Sequence, residues 1–409
     1  MRILIYGINY SPELTGIGKY TGEMSAWLAE QGHSVRVVTA PPYYPEWRVP
    51  VDYSGKKYSH SIEGAVEVIR CPLFVPSKVT TLSRLAHLVS FSASSAVPLL
   101  GSFRWRPEVI IQVAPTLFCS IQTLMLAWLT GSKTIVHIQD YEVDAMFGLS
   151  MARGGLIKRI AYWIELKILN SFNYVSTISE GMMKKAIDKG IAPGKVVFLP
   201  NWSEVARFRD VQPNLQLLTE LGVDPNKKIV LYSGNMGEKQ GLDTVVCAAK
   251  EMESNRDIHF LMVGDGVAKE NLEYLALSLS LSNVTFLPLV PYDKLPELLA
   301  IADCHLVVQK SGAADSVMPS KLTNILAVGG NAVITSTEAT TLGSLCLKYP
   351  GIATLIAPDS VSALVDGIRL SLAMSQPNDI ATHYASVNLD KDLILNRFVT
   401  FLAQSSVND

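Results

Sequence analysis

Short runs of valine, isoleucine and leucine recur along the chain, and between most of them the apolar positions fall at helical spacing. Arg2–Tyr6, Ser34–Thr39, Val66–Arg70, Val109–Val113, Thr134–Ile138 and Asn173–Thr177 form a first series. Such near-continuous apolar strands, separated by helices, predict a parallel sheet covered on both faces. After Val196–Trp202 the series restarts with Ile229–Tyr232, His259–Val263, Val284–Leu287, His305–Val308, Ala332–Thr335 and Ala353–Ile356. Two doubly wound α/β domains explain this better than one large sheet. The expected boundaries are 1–200 and 201–382, with the joint at Pro200–Glu204. Residues 383–409 are expected to hold a C-terminal helix, periodic over Lys391–Leu402, that packs back toward the N-terminal domain.

Strand-to-helix corners carry the candidate chemistry. The stretch Val317–Gly330 follows a buried strand and a loop, with Pro319 as first helical position and Ser320, Lys321 and Leu322 as first turn. Free N–H groups there would face an anion. A second corner runs from Ile229–Ser233 through Gly234–Gly241, which contains Asn235, Lys239 and Gln240, into a helix Leu242–Met252. A third, Gly264-Asp-Gly266, reads equally as a loop near a nucleotide base or as a plain turn. Lys239, Lys310 and Lys321 fall at strand ends of one sheet, where together they favour a diphosphate, although each alone reads as a solvated surface lysine. After the first strand, the Gly7–Gly22 stretch occupies the dinucleotide-fingerprint position without its spacing. Its Gly16 and Gly18 read as a mobile loop that lets backbone approach a ligand, or as a βα turn needing positive φ.

In the N-terminal half, one strand delivers His137, Gln139, Asp140, Glu142 and Asp144 to a single loop. Acid, base and hydrogen-bonding groups at a strand end suit a sugar hydroxyl. His137 lies inside the strand and reads as readily as a satisfied core histidine, so Asp140 and Asp144 are better placed. The chain has no D-x-D pair, Walker lysine or histidine cluster, and no essential metal is expected.

Composition narrows the partners. With 409 residues, 48% hydrophobic and a net charge of −2, the chain has no basic excess to neutralise nucleic acid. Five scattered cysteines (Cys71, Cys119, Cys247, Cys304 and Cys346) indicate neither a disulfide framework nor a zinc site. The N-terminus reads as a first strand and not a signal peptide, so a cytoplasmic fold is expected. No uninterrupted apolar run reaches the length of a spanning helix; Leu85–Leu100 is broken by His87, serines and Pro98. Two segments nevertheless read as membrane-directed or, alternatively, as buried helices: Arg153–Leu169 and Lys78–Arg106, where basic residues flank tryptophan and isoleucine or leucine.

With these residues in view, the chain resembles the GT-B glycosyltransferases of family 4, and among them the bacterial exopolysaccharide enzymes with a Pro-Ser-Lys turn. Tyr6–Gly22, Ala40–Arg48, His137–Met146 and Val308–Asp315 carry the resemblance, which spans nearly the whole chain. It implies two Rossmann-like domains facing across a cleft, with donor in the second and acceptor in the first. It also implies a retaining, metal-independent transfer with no cofactor, of L-fucose from GDP-fucose to a polyprenyl-diphosphate-linked saccharide at the cytoplasmic face of the inner membrane. The family's paired glutamates fall at Ser316 and Asn324, and the usual Arg and Lys of the diphosphate loop fall at Asn235 and Gln240. Asn324 could still bond a ribose hydroxyl, while Lys321 and Lys310 become the expected phosphate ligands, helped by backbone at Gly234, Ser320 and Leu322. Two alternatives stay open: a GT-B nucleotide-sugar epimerase, and a non-catalytic two-domain regulator binding a sugar or nucleotide.

Overall fold

The computed structural model describes residues 1–13, 16–78, 80–115, 117–144, 155–311 and 318–405. One compact unit comprises Met1–Pro200 with the chain from Phe401 onward, and a second comprises Asn201–Thr400. Each is built on its own sheet.

The first sheet contains β1 (Arg2–Gly7), β2 (Ser34–Thr39), β3 (Ser59–Glu63), β4 (Val66–Arg70), β5 (Val109–Val113), β6 (Lys133–Ile138), β7 (Tyr174–Thr177) and β8 (Val196–Phe198). Their spatial order is β3-β4-β2-β1-β5-β6-β7-β8. All pairs are parallel except β3 with β4. The apolar pattern does not foretell β3, because Ser-His-Ser-Ile-Glu is mostly exposed and pairs along one edge only. An edge strand needs no apolar face.

The second sheet is wholly parallel: β9 (Lys228–Ser233), β10 (Ile258–Val263), β11 (Val284–Leu287), β12 (Cys304–Val307), β13 (Ala332–Thr335) and β14 (Thr354–Ile356), in the order β11-β10-β9-β12-β13-β14. Side chains alternate between its two faces as strand geometry requires. Ile229, Leu231, Leu261 and Val263 enter one apolar cluster, while Val230, Tyr232, Phe260 and Met262 enter the other. Beyond β9 the chain winds one way to β11 and then returns to β12 on the other side of β9, so β9 and β12 flank a topological switch point. Open α/β sheets bind ligands at the carboxyl ends of such a strand pair. In the first sheet the corresponding pair is β1 and β5.

By length and composition alone, Leu82–Arg104, with a mean hydropathy of 1.3, could cross a membrane. The apolar run is nonetheless interrupted by His87, serines and Pro98 as the sequence indicated. In the fold its helix, Thr81–Gly101, is the β4–β5 crossover, and the residues that interrupt its apolar run seat it there. His87 Nδ1 bonds to the Phe74 carbonyl at 2.6 Å, Ser95 Oγ bonds to the Tyr6 hydroxyl at 2.6 Å, and Phe91 and Leu99 are fully buried.

Candidate active site

In the second unit, β9 ends at Ser233 and the chain turns at Gly234 with φ +141°. This turn presses on the loop after β10. A Cβ at Gly264 would lie 1.9 Å from the Gly234 carbonyl oxygen, and one at Gly266 would lie 2.5 Å from that of Met236. Gly234 N donates to Val263 O at 2.9 Å and Met236 N to Asp265 O at 2.8 Å. The close approach that Gly264 and Gly266 permit is therefore backbone to backbone, and it fixes the shape of the Gly234 turn.

Across the switch point, the helix Ser320–Ala327 starts with Pro319 as its N-cap (φ −59°, ψ 135°), one residue later than the sequence suggested. It ends in a Schellman motif: Gly330 N donates to Ile325 O, Gly329 N donates to Leu326 O, and Gly329 takes φ +74°. Leu322, Ile325 and Leu326 anchor the helix in the core and so fix its first turn. From that turn Lys321 reaches back toward β9, and its Nζ sits 4.2 Å from the Tyr232 ring centroid. A Cβ at Gly234 would stand 3.8 Å from the same ammonium. Nζ is buried and has no hydrogen-bond partner among the described residues. Burial pushes its pKa down to about 8. The face of a tyrosine offsets only part of the desolvation of a cation, so an anion beside Gly234 would be strongly favoured.

The remaining donor-side candidates have varied surroundings. Lys310 is half-buried with its chain over Gly241, where a Cβ would meet Lys310 Cγ at 2.9 Å, and Lys310 N donates to Lys239 O at 2.8 Å. The loops after β9 and β12 are thus joined, while the Lys239 side chain itself is exposed. Gln240 Oε1 accepts from Gly237 N at 3.1 Å, and the Asn235 carbonyl accepts from the Tyr232 hydroxyl. Asn324 is buried, and its Oδ1 accepts from Ser203 Oγ at 2.8 Å. Two expected backbone donors need correction: Gly234 N is already committed to Val263 O, and Leu322 N to Pro319 O at 2.9 Å. Ser320 remains exposed at the helix N-terminus. Ser316 and the Gly312–Asp315 loop lie outside the described residues.

In the first unit, the segment after β6 carries Asp140, Glu142 and Asp144, one strand beyond the β1–β5 switch point. Asp140 is exposed. Glu142 Oε1 accepts from Leu117 N at 3.1 Å, which ties this loop to the one after β5. Burial raises the Glu142 pKa to about 7, against the opposing pull of that N–H and of Arg84. His137 is buried in β6 with Nδ1 2.9 Å from Ser176 Oγ, and burial pushes its pKa down to about 4, so the imidazole is neutral. Asp144 is engaged by its own unit: Tyr162 donates to Oδ1 at 2.6 Å, and Lys185 and Lys189 pair with Oδ2 at 2.9 and 3.0 Å. Burial works against its charge, but these partners prevail and hold it below the usual aspartate range.

The glycine-rich N-terminal stretch departs from expectation. The helix Gly16–Glu30 already includes Gly18 and Gly22, where Cβ atoms would meet Glu13 Oε2 at 2.4 Å and Ser11 Cβ at 2.8 Å. Gly18 therefore serves close packing inside the unit, and only Gly16 of these glycines has positive φ (+61°). Glu13 is buried beside Gly18. Its Oε1 accepts from Tyr43 N and Tyr44 N at 3.2 and 3.1 Å, and its Oε2 accepts from Asn9 at 2.9 Å.

Comparison with known proteins decides the family. Residues 15–202 match the "Glycosyl transferase 4-like domain" model and residues 216–386 match "Glycosyl transferases group 1". The chain is 54% identical over 404 residues to WcaI of Escherichia coli K12, covering 98% of this chain and 99% of that one. The chain belongs to the GT-B glycosyltransferases. WcaI's own assignment as a colanic acid biosynthesis glycosyl transferase is provisional. Among solved structures, sucrose-phosphate synthase of Thermosynechococcus elongatus superposes with a TM-score of 0.73 at 15% identity, covering 100% of both chains. HepE of Anabaena in complex with UDP gives 0.70 at 16%, covering 99% of this chain and 100% of its own.

Sequence reasoning missed two residues that shape this glycosyltransferase's candidate site. Tyr232, an aromatic two positions before the Gly234 turn, was a readable signal, since it points to the same sheet face as Val230. Glu13 was not readable, because Tyr43 and Tyr44, whose N–H groups it accepts, lie some thirty positions away in sequence. Among the described residues no group of three His, Cys, Asp or Glu side chains could hold a metal ion.

Proposed function

We propose that this glycosyltransferase holds a nucleoside-diphosphate sugar at the β9–β12 switch point, with Lys321 as the principal cation for the diphosphate and Lys310 and the Ser320 helix end in support. The buried Lys321 ammonium, which has no hydrogen-bond partner among the described residues, carries this reading. As the sugar leaves, negative charge grows on the diphosphate, and a preorganised cation in a dry site stabilises that charge most strongly. Such neutralisation by protein groups suits a metal-independent transfer. The reaction we assign retains anomeric configuration: the departing phosphate oxygen accepts the proton of the acceptor hydroxyl on the same face. Asp140 orients that hydroxyl, and neutral His137 supports the β6 loop through Ser176. The donor we propose is GDP-fucose and the acceptor a polyprenyl-diphosphate-linked saccharide, met at the cytoplasmic face of the inner membrane in colanic-acid-type exopolysaccharide synthesis. The 54% identity to WcaI supports the colanic-acid-type context of this reading.

Calorimetric titration with GDP, UDP and their fucose and glucose conjugates tests the donor. Preference for GDP and GDP-fucose supports the reading, whereas preference for UDP overturns the sugar assignment and leaves the reaction class intact. NMR of the product anomer, with and without EDTA, tests retention and metal independence.

A further inference from the structure

The first unit carries an apolar face that its own fold leaves in solvent. Three crossover helices, Thr81–Gly101, Ser120–Thr130 and Gly155–Ser171, lead from β4 to β5, β5 to β6 and β6 to β7. All three step in the same direction across the sheet, and right-handed crossovers in one direction place their helices on one face. The first packs on the second and the second on the third. The middle helix, Ser-Ile-Gln-Thr-Leu-Met-Leu-Ala-Trp-Leu-Thr, contains no charged residue, yet Ile121, Met125 and Trp128, at helical spacing, are 66%, 50% and 85% exposed. Val97 on the first helix and Trp163 and Ile164 on the third are exposed as well. A monomeric protein rarely leaves so continuous an apolar surface in water.

The charge around this surface has one sign. Arg84, Lys158, Arg159 and Lys167 project from the outer helices, with Arg104 and Arg106 just beyond the first, and all six are exposed. The three helices contain a single acidic residue, Glu165, which is buried and paired with Lys189. The whole chain has a net charge of −2, so this is a local segregation of positive charge. Tryptophan above an apolar stripe, flanked by lysine and arginine, is the composition of a surface that lies in a membrane interface. A second copy of the chain on the same face would oppose like charges, whereas an anionic bilayer complements them.

We propose that this three-helix face docks on anionic lipid, with Ile121, Met125 and Trp128 entering the interfacial layer and the surrounding basic residues contacting headgroups. The proposal rests on the membrane-linked acceptor proposed above and names the surface that meets the bilayer. The test is co-sedimentation of the full chain with phosphatidylcholine vesicles, with and without phosphatidylglycerol, at low and high salt. The double variant Met125→Ser/Trp128→Ser should weaken binding to anionic vesicles by at least about tenfold and remove the part that survives high salt. Lys158→Glu/Arg159→Glu should instead remove the salt-sensitive part. All four side chains are exposed, so unchanged thermal unfolding and unchanged GDP or UDP affinity will verify the fold. If wild type binds vesicles and the Met125/Trp128 variant binds equally well, this face is wrong while the membrane reading stands. If wild type binds neither vesicle, both are overturned. Lipid-free self-association that the same double variant abolishes, seen by sedimentation velocity, would make the occupant a second copy and overturn the lipid assignment.

Discussion

Replacing Lys321 with methionine tests the donor site most directly, because one buried ammonium governs two measurable quantities. Burial lowers its pKa from 10.5 to about 8 in the folded chain. Above pH 10.5 the group is neutral in both states and carries no penalty. As pH falls toward 8 the unfolded chain takes up a proton that the folded chain refuses, and below 8 the penalty is complete. Two and a half pKa units amount to at most about 3 kcal/mol. Lys321→Met should therefore stabilise the ligand-free protein at pH 7, and the gain should fade as pH rises from 8 to 10.5. Thermal melts across that range measure it.

A diphosphate beside Gly234 would return the Lys321 pKa toward its ordinary value, so binding becomes coupled to protonation. If the bound value reaches 10.5 or above, proton uptake on binding should rise from about 0.1 per site at pH 7 to about 0.9 at pH 9. Calorimetry with GDP or UDP in buffers of different ionisation enthalpy reads this directly. In Lys321→Met the uptake should vanish and affinity should fall by roughly ten- to three-hundredfold, the upper figure being the whole pKa shift recovered as binding energy. Unchanged affinity in the variant, or wild-type binding without proton uptake at pH 9, would refute the placement of the diphosphate at Lys321.

Asp140→Asn should leave GDP or UDP affinity intact while lowering transfer at least about tenfold, the scale expected for a group that positions an acceptor hydroxyl; normal turnover removes Asp140 from that role. Asp144→Asn should destabilise the first unit by about 1–2 kcal/mol, since it breaks the pairs with Lys185 and Lys189. The Asp144 pKa is depressed on folding, so this contribution is present above the unfolded aspartate value and is lost as pH falls through the folded one. Melting curves at pH 7 and pH 3 show the difference, and a transfer defect without any loss of stability at pH 7 would give Asp144 a direct part in the reaction. Gly264→Ala puts a Cβ 1.9 Å from the Gly234 carbonyl oxygen, so nucleotide affinity and stability should fall together, the latter by roughly 1–3 kcal/mol. Intact binding would show that the Gly234 turn does not need its present shape.

Strand positions were legible wherever burial on both faces imposed a run of branched side chains. β2, β4, β5 and β13 occupy Ser34–Thr39, Val66–Arg70, Val109–Val113 and Ala332–Thr335, the spans that the apolar pattern predicts. The edge strand β3 escaped because its side chains face water. Gly18 misled for a related reason: local sequence cannot distinguish a glycine needed for a flexible loop from one that lets Glu13 lie against a helix. Local sequence likewise could not show that Asp144 meets Lys185 and Lys189, or that Asn324 meets Ser203, because these contacts close over long separations.

The departures from the family pattern and the state of Lys321 bear on one another. The positions where the resemblance sets a pair of glutamates hold Ser316 and Asn324, so this chain lacks both of those carboxylates. Asn324 spends its carbonyl on Ser203, a neutral bond that holds the helix without supplying a counter-charge. A carboxylate within about 6 Å would hold the Lys321 pKa up; among the described residues desolvation dominates and brings it down to about 8. A diphosphate entering beside Gly234 would then meet an ammonium with no hydrogen-bond partner among the described residues, which sharpens selectivity for an anion. Restoring the carboxylate with Asn324→Glu should therefore raise the Lys321 pKa and reduce proton uptake at pH 9. If it leaves that uptake unchanged, the glutamate pair and Lys321 act independently in this chain.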